Sequence, residues 1–287
     1  MNENILKTIF LLTLLTCLMV LFGAAFGGGS GALTAFLFAC AINFASYWFS
    51  DAIVLSIYRA QPLDPGSWTG VHESVRELAD EAGLPMPKLY RIPSAAANAF
   101  ATGRDPAHAS LALTEGILEL LSPEELKGVV AHELSHVKHY DILIASLAAT
   151  LAGAVTLMAD WARWMFFLGG HRSSEEREDN PLVLLLMAFL MPIAAVLIQL
   201  AISRSREYDA DREGGRMTKN PLYLASALQR IDAHARQIPM REIQPASAHL
   251  FIHHSERSHP LQALFSTHPP LEERLARLEA QARAMGL

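Results

Sequence analysis

His132-Glu133-Leu134-Ser135-His136 sets two imidazoles and a carboxylate within one short stretch. On a helix, residues four apart stand about 40° apart around the axis and about 6 Å along it, so both rings lean over one point. Two neutral imidazole nitrogens can hold one Zn²⁺, which leaves Glu133 beside the water such an ion activates. The chemistry that follows is hydrolysis of a peptide bond. Glu133 would take the water's proton as general base and hand it to the leaving amine, while the zinc polarises the carbonyl.

A catalytic zinc usually takes three protein ligands and keeps a fourth position open. His139 returns to the same helix face but lies about 4.5 Å beyond His136 along the axis, so three ligands on one straight helix would splay. The longer H-E-x-x-H-x-x-G-x-x-H pattern fails because Ile142 occupies its last ligand position. Glu207, in Ser203-Arg204-Ser205-Arg206-Glu207-Tyr208-Asp209-Ala210-Asp211, is the better third ligand. Glu207 and Asp211 are one helical turn apart, and Asp211 can accept the free ring N–H of a ligand His. The competing reading of this run is a solvated, charged helix start. His268, in Ser266-Thr267-His268-Pro269-Pro270, is a candidate oxyanion donor, with a structural His before a proline turn as its alternative.

These residues need elements to carry them. The chain of 287 residues is 51% hydrophobic and only 18% charged, with mean hydropathy +0.22. Soluble domains carry about 25% charge, so the deficit points to membrane. The net charge of −6 and the lack of a basic tract exclude nucleic acid as a partner. Cys17 and Cys40, both in apolar runs, read as small core residues rather than a disulfide framework.

Apolar runs at Ile5–Phe26, Ala32–Phe49, Ile142–Ala159 and Leu182–Ile202 predict about four transmembrane helices, each near the length that crosses a bilayer. The third, with Gly153 and many small residues, also reads as a packed or partly embedded helix. Gly27-Gly28-Gly29-Ser30-Gly31 predicts a tight turn between the first two, and Tyr47, Trp48 and Tyr58 an interfacial belt. The organisation expected is a hairpin at 1–58, a first catalytic segment at 59–141, a second hairpin at 142–203 and a second catalytic segment at 204–287.

Within the catalytic segments, Gly70–Ala82 and Leu271–Met285 read as amphipathic helices, and Lys88–Ile92 and Ser110–Thr114 as strands. Ser122-Pro123-Glu124-Glu125 is a helix start, and the helix it opens carries the motif and runs on into the third apolar run. Arg59, Arg76, Lys88, Arg91, Arg104, Lys127 and Lys138 precede that run, and more basic residues follow position 203, whereas the 169–181 link holds Arg172 and Arg177 alone. Positive charge stays inside, so both catalytic segments are expected on the cytosolic face.

Taken together, Tyr47–Asp51, Asn98–Gly103, His132–Asp141, Ser203–Asp211 and Phe265–Arg274 resemble the HtpX heat-shock membrane proteases, relatives of the CAAX prenyl endoproteases among the gluzincin zinc peptidases. The resemblance covers nearly the whole chain. It implies a mainly α integral-membrane fold, with a zincin-like helical catalytic domain and a small β-sheet. By the same likeness His132, His136 and Glu207 match the ligands of one Zn²⁺, Glu133 the base and Asp211 the second acid of an E-x-x-x-D helix. Asn98, Ala99 and Phe100 match an edge segment that holds extended substrate by strand addition, a mode that needs an open ladder edge. The family implies quality control of misfolded or damaged membrane proteins in a bacterial-type inner membrane. A catalytically silent membrane scaffold is the alternative.

Overall fold

The structure, a computed structural model, describes residues 3–153, 204–240, 247, 250–252 and 269–287. Helix α1 (Glu3–Ile57) is one run of helix bent back on itself at Gly28, whose φ of 57° suits a residue without Cβ. The Gly-rich turn is thus reduced to one residue. Its limbs lie antiparallel: Asn43 Nδ2 donates to Thr16 Oγ1 at 2.8 Å, and a Cβ on Gly23 would sit 2.4 Å from the Gly31 carbonyl oxygen. The second limb, Gly27–Ile57, is long and apolar enough to cross a membrane, with mean hydropathy 1.5. Leu33, Phe36, Leu37, Phe44, Trp48 and Phe49 are exposed on it. Cys17 and Cys40 are free and exposed on the hairpin, not packed in a core.

After α1 come β1 (Gln61–Pro62), α2 (Thr69–Ala82), β2 (Lys88–Ile92), β3 (Ala99–Thr102) and β4 (Ser110–Thr114). Gly83, with φ of 69°, caps the end of α2. The sheet has the order β1-β2-β4-β3, with β2 and β4 parallel and the two outer pairs antiparallel. β2 and β4 match the two strands read from short apolar stretches. β3 was legible only through the family likeness, because Ala99-Phe100-Ala101-Thr102 is buried at every position and shows no alternation.

A short α3 (Glu115–Leu120) leads to α4 (Pro123–Lys138), which carries the motif. Ser122 and Glu125 form a reciprocal capping box: Ser122 Oγ accepts from Glu125 N at 3.2 Å and Glu125 Oε2 from Ser122 N at 2.8 Å. Such a cap contributes about 1 kcal/mol. The motif helix does not run on into the apolar segment. Tyr140 takes φ of 61°, the left-handed region that ends a helix, and α5 (Asp141–Gly153) starts afresh.

α5 is packed, not lipid-facing. Ile144, Ala148 and Leu151 bury against Leu11 and Leu15 of α1. Ala149 joins a second cluster under the sheet with Val54, Tyr58, Phe100 and Phe251. Tyr58 therefore leaves the expected interfacial belt: it is buried, edge-on to Phe251 with ring centroids 4.9 Å apart, and its hydroxyl bonds Ser247. Trp48 does lie exposed, under the Arg104 guanidinium at 4.8 Å.

The chain returns as α6 (Arg204–Met217), α7 (Leu222–Gln237) and α8 (Leu271–Ala284). With α2 and α4 they enclose the main core around Leu78, Val129, Leu134, Leu228, Ile231 and Leu278. Two glycines bring backbones close to α4. A Cβ on Gly128 would lie 2.6 Å from Leu224 N of α7, and one on Gly214 of α6 would lie 3.0 Å from His132 N. The remainder of the third apolar run, the fourth run and the acidic link between them lie outside the described residues.

Candidate metal and catalytic site

α4 presents His132, Glu133 and His136 from its buried face, and α6 brings Glu207 against them. The His132 and His136 Nε2 atoms are 3.2 Å apart. Glu207 Oε1 lies 3.5 Å from His136 Nε2, and Oε2 lies 3.8 Å from His132 Nε2. Ligands at zinc–nitrogen and zinc–oxygen lengths of about 2.0–2.2 Å around a tetrahedral ion stand about 3.3–3.6 Å from one another. The triangle, with edges of 3.2, 3.5 and 3.8 Å, is close to that size. Among the described residues, His132, His136 and Glu207 are the group of His, Cys and acidic side chains whose ligand atoms converge this way, all within 4.8 Å.

The far nitrogens are already committed. His132 Nδ1 is 2.9 Å from Asp211 Oδ1, and His136 Nδ1 is 3.0 Å from Asp141 Oδ2. A carboxylate behind each ring holds the proton on Nδ1, so that the ring, when neutral, turns its Nε2 lone pair to the shared point. The donor set is two neutral imidazoles and one carboxylate, which suits a zinc site with an open position. Burial alone would push His136 down in pKa. The Asp141 hydrogen bond and the charges of Glu207, Asp141 and Glu133 outweigh it and lift the metal-free ring to about 9.

Glu133 is buried beside the triangle, and its Oε2 accepts from Ala101 N of β3 at 2.9 Å. Burial raises its carboxyl above the ordinary range, Glu207 adds to this, and His132, His136 and the Ala101 N–H hold it back. Asp211 is held down to about 2, its burial outweighed by the Arg274 charge and the hydrogen bonds from His132 and Arg274.

The other expected residues fall as follows. His139 turns away from the triangle, half exposed, with Nε2 2.6 Å from Glu213 Oε2. Ala99 and Phe100 lie on β3, whose Ala101 N–H meets Glu133, and Asn98 directly precedes it; all three are buried, with Phe100 in the aromatic cluster under the sheet. β3 is an edge strand, yet its outer side is occupied. The Ala99 carbonyl accepts from Ile252 N at 3.1 Å, the Ala99 N–H meets its neighbour Asn98 Oδ1 at 3.1 Å, and Ala101 N–H is on Glu133. His268 lies outside the described residues.

Sequence reasoning gave no role to Asp141, Arg206 or Arg274. Arg274 of α8 donates from Nε and Nη2 to both oxygens of Asp211 at 2.8 and 2.6 Å. Arg206 Nη1 donates to Asp141 Oδ1 at 3.1 Å. Arg206 reads in the sequence as one more charge in a polar run, and Arg274 as the polar face of an amphipathic helix.

The chain is similar to known proteins along most of its length. The family model described as Peptidase family M48 matches residues 67–282. The chain is 51% identical to a "Protease HtpX homolog" of Syntrophotalea carbinolica, over 96% of this chain and 98% of that one. It is 47% identical to namesakes from Persephonella marina, over 98% of each chain, and Thermococcus kodakarensis, over 98% of this chain and 97% of that one. Among solved structures, the S. mikatae Ste24p crystal structure shares the fold with a TM-score of 0.52 at 20% identity. That match takes in 96% of this chain and spans 65% of the Ste24p chain's length. On its match to the family model and to these near full-length relatives, the chain belongs to Peptidase family M48 and is a metalloprotease.

Proposed function

We propose that this chain is an integral-membrane, zinc-dependent endopeptidase that cleaves misfolded or damaged membrane proteins at the cytosolic face. The observation that carries it is the His132–His136–Glu207 triangle, sized for a tetrahedral ion, with a buried carboxylate beside it. His132, His136 and Glu207 would hold one Zn²⁺. When bound, the ion would supply Lewis acidity, lowering the pKa of a water towards about 7 and polarising a carbonyl.

The chain's own groups do the rest. Glu133 Oε2 is anchored on the Ala101 N–H, which aims the carboxylate from the sheet side. It takes the proton of the attacking water and delivers it to the amine nitrogen of the broken peptide bond. Its raised pKa helps, since a base that must also act as an acid works best nearer neutrality. The substrate, extended, would lie along the outer edge of β3 at Asn98–Phe100, replacing the Ile252 N–H on the Ala99 carbonyl. With those side chains buried, recognition there would run through the main chain. His268 is proposed as a further donor to the oxyanion.

The exposed apolar surface of Gly27–Ile57 supports insertion in the bilayer, and charge placement supports a cytosolic site. The test is cleavage of casein and of an unfolded membrane protein by purified chain, with zinc and after chelation. Zinc-dependent cleavage is expected, and equal cleavage after complete zinc removal would refute the reading. Comparing the proteomes of cells carrying the wild type and Glu133→Gln then identifies the substrates.

A further inference from the structure

Behind each ring of the triangle stands the same sequence of groups. His132 Nδ1 meets Asp211 at 2.9 Å, and Asp211 meets Arg274 at 2.6 and 2.8 Å. His136 Nδ1 meets Asp141 at 3.0 Å, and Asp141 meets Arg206 at 3.1 Å. One series runs from α8 through α6 to α4, the other from α6 through the start of α5 to α4.

We propose that Asp211–Arg274 and Asp141–Arg206 are paired positioning relays that set the two imidazole ligands, with Arg274 the dominant member for ion affinity. This rests on the reading that His132, His136 and Glu207 hold the ion. A carboxylate so near a metal site can serve the ring or turn to the ion itself. The Arg274 fork engages both Asp211 oxygens, so Asp211 stays on the ring. Arg274 Nη2 also lies 3.5 Å from His132 Nδ1, but with the Nδ1 proton on Asp211 both are donors, so Arg274 acts on the ring through Asp211.

Stability alone is a poor explanation for this arrangement. Arg274 and Asp211 are only 3% and 2% exposed, and a buried ion pair recovers little more than its own desolvation cost. An apolar pair of similar size would hold α8 to α6 as well, but would leave His132 Nδ1 with no acceptor. The second relay is looser. Arg206 is 17% exposed and reaches one oxygen of Asp141, which sets its effect below that of Arg274. α6 thereby supplies a ligand, Glu207, together with Arg206 of one relay and Asp211 of the other, so that one helix registers the whole triangle.

The test uses the full chain in detergent. Zinc dissociation constants come from competition with a chromophoric chelator, ligand geometry from the visible spectrum of the cobalt-substituted protein, and folding from thermal unfolding of the metal-free form. Arg274→Met is expected to weaken zinc about 10–100-fold and alter the cobalt bands, with Arg206→Met weakening it less. Arg274→Lys should recover part of the loss, because an ammonium restores the charge without the fork. Zinc constants within twofold of wild type, with unchanged cobalt spectra, in both Met variants would overturn the proposal. If Arg274→Met fails to fold, Arg206→Met and Asp141→Asn carry the test, and unchanged constants in both overturn it. A wild-type chain that takes up no zinc would instead refute the ligand assignment on which the proposal stands.

Discussion

Glu133→Gln separates chemistry from architecture at this site. The amide keeps the length and shape of the carboxylate, and its oxygen can still accept from Ala101 N, now 2.9 Å from Glu133 Oε2. The three residues of the triangle are untouched, so zinc content should stay at one per chain. What is lost is the proton acceptor. Positioned general bases contribute about 10²–10⁴-fold, equivalent to about 3–5 kcal/mol at the transition state. Turnover of a quenched peptide should fall by that factor with KM little changed. The stability effect has the opposite sign. Burial raises the Glu133 pKa, so the folded metal-free chain is burdened by that charge near neutral pH, and a neutral amide removes the burden. The metal-free Glu133→Gln chain should therefore unfold at the same temperature as wild type or higher. Full turnover in the variant, or turnover lost only in step with zinc, would refute the base assignment.

Three further outcomes can be checked together. Glu207→Ala should lose zinc by metal analysis while His139→Ala keeps it, since His139 sits on Glu213 and points away; the reverse result sinks the assignment of the third ligand. The metal-free His136 ring, raised to about 9, must shed its proton to bind an ion. Uptake at pH 7 should then release about one proton, and affinity should climb with pH until about 9, as read by calorimetry in buffers of different ionisation heat. The linked stability has a definite sign. Because the folded pKa is raised, protonated His136 stabilises the metal-free fold fully below about 6.5, and that contribution fades as pH rises through about 9. Finally, Gly128→Ala should destabilise by about 1–3 kcal/mol, because its Cβ would meet Leu224 N at 2.6 Å, whereas Gly70→Ala, with open space, should stabilise by about 0.4–1 kcal/mol. Thermal melts that rank the two the other way would contradict the α4–α7 contact.

The parts of this protein readable from the chain alone are those set by local periodicity. Turn spacing puts His132 and His136 on one side of α4 and Glu207 and Asp211 on one side of α6, whatever the rest of the fold does. The Ser122–Glu125 cap, the strands β2 and β4, and the paired limbs of α1 follow from short-range preferences in the same way. Two expectations failed where a distant contact outweighed the local one: Tyr140 breaks the motif helix so that Asp141 can reach His136, and Tyr58 turns into the aromatic cluster. β3, which no local alternation announces, takes strand form while buried at every position.

Tertiary structure alone chose the partners of the charges. Nothing in the spacing links Arg274 to Asp211, Arg206 to Asp141 or the Ala101 N–H to Glu133, since each pair joins different elements. On an exposed helix these side chains would be ordinary solvated groups, worth little to one another. Packing of α4, α6, α8 and β3 removes the water between them, and in that dry space each buried charge or donor must be met by a specific neighbour. The sequence determined which groups could do the chemistry, and burial decided how they are aimed.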